Sequence, residues 1–66
     1  MIDYDEIIEE AEMMYEPEDE FNDYLSSFSD VEKDKALEYA ATYCESDYAA
    51  CSFLGFLEGI TYLRNI

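Results

Sequence analysis

At 66 residues, half of them hydrophobic, the chain has room for one small domain, spanning 1–66, and is too apolar for a disordered acidic tail. Eighteen Asp and Glu against three Lys and Arg give a net charge of −15, which argues against direct binding to nucleic acid or anionic lipid and toward basic protein surfaces. With two cysteines, no His and no Gly-rich phosphate loop, neither a zinc site nor an activated nucleophile is expected, and the chain does not read as an enzyme.

The first segment, 2–15, has helical periodicity. Ile7, Ile8, Ala11, Met14 and Tyr15 share one face, and Asp3, Asp5, Glu6, Glu9, Glu10, Glu12 and Glu16 lie outside it without a single base. Acids in the first turn suit the positive end of the helix dipole, whereas Glu12 and Glu16 oppose it at the other end. Their i,i+3 and i,i+4 neighbours repel by a few tenths of a kcal/mol per pair. The opening MIDYDEIIEE is acidic where a secretory signal is basic and then apolar, so a cytoplasmic protein with reduced thiols is expected. The initial Met leads us to expect a complete small gene product.

Pro17 stops that helix and can open the next, over 18–28, with Phe21, Tyr24, Leu25 and Phe28 inward and Glu18, Asp19, Glu20 and Asp23 outside. Ser29-Asp30-Val31-Glu32 then has the form of a capping box. It starts a third helix over 30–45, with Val31, Leu37, Ala40, Ala41 and Cys44 inward and Tyr39 and Tyr43 on a neighbouring stripe. Lys33 and Lys35 sit among Glu32, Asp34 and Glu38 and are expected only to screen them.

Ser46 and Asp47 are good N-cap types, placing the last helix over 48–64. From Tyr48 to Leu63 it carries one charge, Glu58, expected to point outward beside Tyr62. Apolar or small residues occupy every side of its wheel, so it is expected to be buried all round as the central helix of an all-α bundle of three to four helices. At about sixteen residues it is too short for a membrane span, which needs roughly twenty. Small residues form a symmetric series: Cys44 with Cys51, Ala40 with Gly55 and Ala36 with Gly59 each sum to 95. In an antiparallel hairpin these rows would face each other and let the two backbones approach closely. The alternative is one long helix from Asp30 to Arg64, since no Gly or Pro marks the turn. Cys44 and Cys51 read as small buried hydrophobes, with a disulfide left open by the hairpin. Gly55 and Gly59 form a G-x-x-x-G row, read as soluble helix packing.

No acidic stretch has the central Gly of a calcium loop, and a four-helix di-iron site needs His. No cofactor is implied. The candidate site is therefore the acidic face itself: Asp3, Asp5, Glu6, Glu9, Glu10, Glu12, Glu16, Glu18, Asp19, Glu20 and Asp23. A charge run is often only a solvated surface. Against that stand twelve acids and no base in residues 1–30, where a helix kept only for solubility interleaves Lys or Arg. Seven acids from Asp3 to Glu16 give one charge per roughly 3 Å of helix, comparable in scale with about 1.7 Å along duplex DNA. Tyr4, Tyr15 and Tyr24 would add rigid aromatic contacts.

In size, charge and helical patterning the chain resembles the small acidic DNA-mimic inhibitors encoded by phages, including anti-CRISPR and anti-restriction proteins. That resemblance implies a mechanism in which the acidic face occupies the basic groove where a host nuclease, or its guide-bound complex, holds DNA. Two other readings compete with it. One is an acidic adaptor or structural protein, possible as a homodimer, whose acids only confer solubility. The other is an immunity protein that blocks a toxic nuclease.

Overall fold

Local signals set most of the helix ends in the computed structural model, which describes residues 3–66; the expected start of the first helix at Ile2 falls outside the described residues. Helix α1 spans Tyr4–Met14 and is capped by the Asp3 carboxylate, which accepts from the Asp5 backbone N–H at 3.2 Å. It closes with the Tyr15 N–H donating to the Ala11 carbonyl, and Tyr15 itself is extended. The chain thus leaves the helix two residues ahead of Pro17, which lacks the N–H needed to continue it. A short 3-10 helix, Glu18–Glu20, leads directly into α2, Phe21–Ser26. Helix α3 spans Asp30–Tyr43 and α4 spans Ala49–Arg64.

The capping box forms in full: Ser29 Oγ accepts from the Glu32 N–H at 3.2 Å, and Glu32 Oε1 accepts from the Ser29 N–H at 2.9 Å. The backbone N–H of Ser29, aided by Arg64, holds the Glu32 carboxyl below its ordinary range. Because the folded value is lowered, this cap contributes fully above the ordinary carboxylate pKa and is lost as pH falls through the lowered one.

The α3–α4 boundary is a turn, so the hairpin forms and the single long helix does not. Its cap differs from expectation. Tyr48 is the N-cap residue, without a side-chain bond, and neither Ser46 nor Asp47 performs that role. Instead the Tyr48 N–H donates to the Glu45 carbonyl at 2.9 Å, closing a backbone turn.

One core joins the helices. Ile7 and Ala11 of α1, Phe21, Phe28, the α3 alanines with Leu37, and Ala49, Ala50, Phe53 and Leu57 of α4 are all buried. Helix α4 packs against both α1 and α3, which makes it the central element. It does so with one face only, since Cys51, Gly55, Phe56, Glu58, Gly59, Tyr62 and Leu63 are exposed. Burial all round is therefore corrected: α1 and α3 cover one side of α4, and its other half stays open.

The inward assignments of four residues also change. Val31 is exposed because, at 100° per residue, it lies about 120° from Leu37 around α3. Met14 is exposed, and Tyr15 takes its place over the core, stacking on Tyr24 at 4.8 Å and meeting Phe21 at 5.6 Å. Cys44 is half-buried, Cys51 is exposed, and both are free thiols.

A clamp closes the far end of the bundle. Arg64 in the last turn of α4 donates Nη1 to the Ser27 carbonyl at 2.9 Å and Nη2 to the Glu32 carboxylate. Its guanidinium also lies 5.0 Å from the centre of the Phe28 ring. One cation thereby ties the end of α4 to the α2–α3 junction.

Phe53 is fully buried on the central helix. Phe53→Ala should cost about 3–5 kcal/mol, close to all the stability that a core this size supplies. Circular dichroism at 25 °C should therefore show reduced helicity and no cooperative melt. A melt like that of the wild type would contradict this assignment of the core.

Candidate functional site

Helix α1 divides its residues between two jobs. Ile7 and Ala11 are buried against α3 and α4, and Ile8 and Tyr4 are half-buried beside them. This orientation forces Asp5, Glu6, Glu9 and Glu10 to the exposed side, with Glu12 half-buried at its margin. Asp3 is exposed at the cap. After the helix, Glu16, Glu18, Asp19, Glu20 and Asp23 are all exposed, since the 3-10 helix and α2 commit only Phe21 fully to the core.

The structure brings one subset of these acids together. Glu12 of α1 meets Glu18 and Asp19 of the 3-10 helix and Asn22 of α2 around a shallow depression of about 470 Å³. The other eight acids of the face lie outside it. Among the described residues, no three His, Cys, Asp or Glu side chains are placed to hold a metal ion.

The electrostatics are one-sided. Among the described residues, the ion pairs are Lys33 with Asp30 at 3.6 Å and Arg64 with Glu32. Both use acids of α3, and none of the eleven acids from Asp3 to Asp23 takes part. Helix α1 has no base in its last turn to complement its dipole. Lys33 meets its acidic neighbour Asp30 on the surface, consistent with local screening, whereas Arg64 is engaged structurally.

The tyrosines assigned to this face have a different role. Tyr4, Tyr15 and Tyr24 are half-buried and packed against the core. Tyr24 stacks on Tyr15 and meets Phe28 edge-on at 5.3 Å, so these rings join α1 to α2. Burial raises the Tyr24 hydroxyl above its ordinary pKa; Thr61 offsets part of this, and the Glu58 charge adds to it. The exposed tyrosines are instead Tyr39, Tyr43, Tyr48 and Tyr62, on or beside α3 and α4.

The glycine row is also placed differently. Gly55 and Gly59 are exposed, and a Cβ on either would meet nothing within 4 Å. No close backbone approach exists there. The row of α4 that turns inward is Ala50, Phe53 and Leu57, whose larger side chains share the core with Ala36 and Ala40. Glu58 points outward, as its isolation in an apolar helix implies.

No helix among the described residues is long and apolar enough to cross a membrane. Comparison with family models, curated proteins and solved structures returns no match.

Repulsion within α1 gives this surface a measurable signature. Glu9→Gln/Glu10→Gln/Glu12→Gln keeps side-chain shape while relieving several i,i+3 and i,i+4 contacts, each worth a few tenths of a kcal/mol. At about 4–8 °C per kcal/mol for a domain of this size, Tm should rise by about 2–6 °C. An unchanged or lower Tm would show that these acids make favourable contacts.

Proposed function

We propose that this protein is an inhibitor that binds the basic nucleic-acid-binding surface of a host defence nuclease or CRISPR effector by acidic DNA mimicry, in the cytoplasm of an infected bacterium. The observation that carries this reading is the uncompensated acidic surface. The eleven carboxylates from Asp3 to Asp23 are outside the described ion pairs, and ten of them are exposed. A charge density of this order, carried on a rigid helix, attracts a surface of Lys and Arg built to hold phosphates. The tyrosines that neighbour this face are half-buried against the core, so the reading rests on the charge of the face.

The test begins with a tagged chain as bait in bacterial lysate and continues with the purified target. The complex should dissociate on a salt gradient, and duplex DNA should compete with the protein for the same site. Glu9→Gln/Glu10→Gln/Glu12→Gln should bind at least tenfold more weakly, because rim and groove charges act through the field that these residues create. Capture that ignores both salt and duplex DNA, or no capture, would leave the acids as a solvated surface.

A further inference from the structure

The side of the molecule formed by α3 and α4 carries a second surface of opposite character. A groove of about 530 Å³ runs between the two helices, floored by Gly55 and Gly59 and walled by Tyr39, Phe56, Tyr62 and Leu63. Aromatic rings extend it: Tyr39 lies 5.3 Å from Tyr43 and 5.9 Å from Phe56. Tyr39, Tyr43, Phe56, Tyr62 and Leu63 retain 54, 76, 39, 70 and 70 % of their surface in contact with solvent. At about 200 Å² per large side chain, they present roughly 600 Å². That is the upper end for the largest apolar patch of an ordinary monomer. It is also most of the ~800 Å² per partner that a stable interface buries.

We infer that this groove is a homodimer interface, in which α4 packs antiparallel against α4 of a second copy about a two-fold axis at Gly59. A two-fold interface must be complementary to itself, with knob and hole on one surface. The spacing on α4 meets that condition. In an antiparallel pair crossing at Gly59, residues whose numbers sum to 118 face each other. Gly55 then receives Leu63, Phe56 meets Tyr62, and Gly59 meets its own copy. Bulky side chains fall opposite a glycine or a ring, and the glycines, open in the monomer, admit the partner helix closely.

Charge favours the same choice. Each copy carries −15, so association through the acidic face is opposed. The only charged residue lining the groove is Lys35, which joins none of the ion pairs among the described residues. Docking here buries a surface whose described lining holds no acid. It also leaves the acidic faces of both copies uncovered, so this interface does not depend on what those faces bind.

Sedimentation equilibrium from micromolar to millimolar protein tests the inference. Mass should rise from 7.7 kDa toward twice that value and stop there, with tighter association as NaCl screens the two like-charged copies. Gly59→Glu places its Cβ in open space in the monomer and replaces a poor helix former, so helicity should be kept while the dissociation constant rises at least tenfold. Leu63→Ala, at an exposed position, should weaken association without changing the fold. A chain that stays at 7.7 kDa into the millimolar range overturns the inference and leaves the groove to a partner of another kind. So does a dimer that neither substitution weakens, or a mass that grows past two copies.

Discussion

Helix α1 is held to the rest of the molecule by packing alone. Its polar side chains are almost all acids, none of those acids joins a described ion pair, and its last turn carries no base. What fixes it is Ile7 and Ala11 against α3 and α4, with Ile8, Tyr4 and Tyr15 closing the margins. Burial of that stripe must outweigh both the ordering of the helix and the mutual repulsion of its outer face. The inner row of α4 supplies the surface it packs on, which is why Phe53 and Leu57 matter to the placement of charges they never touch.

The molecule gathers its few cations on one side. Lys33 serves the start of α3, Arg64 joins the end of α4 to Glu32, Ser27 and Phe28, and Lys35 lines the apolar groove. All three cations thus belong to the α3–α4 hairpin, while α1, the 3-10 helix and α2 have none. A protein selected only for solubility gains little by leaving such a surface unbalanced, because interleaved bases would relieve its repulsion at no cost to hydration. Tolerated repulsion is the physical basis for proposing that the acidic surface is functional.

Short-range signals made much of this structure legible in advance. The capping box at Ser29 and Glu32, the stop before Pro17 and the stripe of Ile7 and Ala11 depend on neighbours within one or two helical turns. Each carries its own geometric rule. The exposure of most of the acids followed from the same periodicity. What periodicity could not supply was the number of helices available to cover α4. An apolar wheel says that burial is favourable, but not that a partner lies on every side. Gly55 and Gly59 therefore looked like an internal contact and prove to be an open surface. Val31 and Met14 sit at the ends of their helices, Val31 turned well away from the Leu37 side and Met14 in line with Ile7 but at the last residue of α1, past the packed part of that face. The Arg64 clamp joins residues more than thirty positions apart, and no local pattern marks such a pair.

Thermal unfolding as a function of NaCl at neutral pH tests most directly whether the acidic surface is carried at a cost to stability. The Debye length falls from about 30 Å at 0.01 M to about 10 Å at 0.1 M salt, which spans the distances between acids along α1 and onto the 3-10 helix. We expect Tm to rise with salt, most steeply across that range, and then to level off. A flat or falling Tm would mean that the eleven carboxylates are dispersed or paired, and would contradict an uncompensated acidic field.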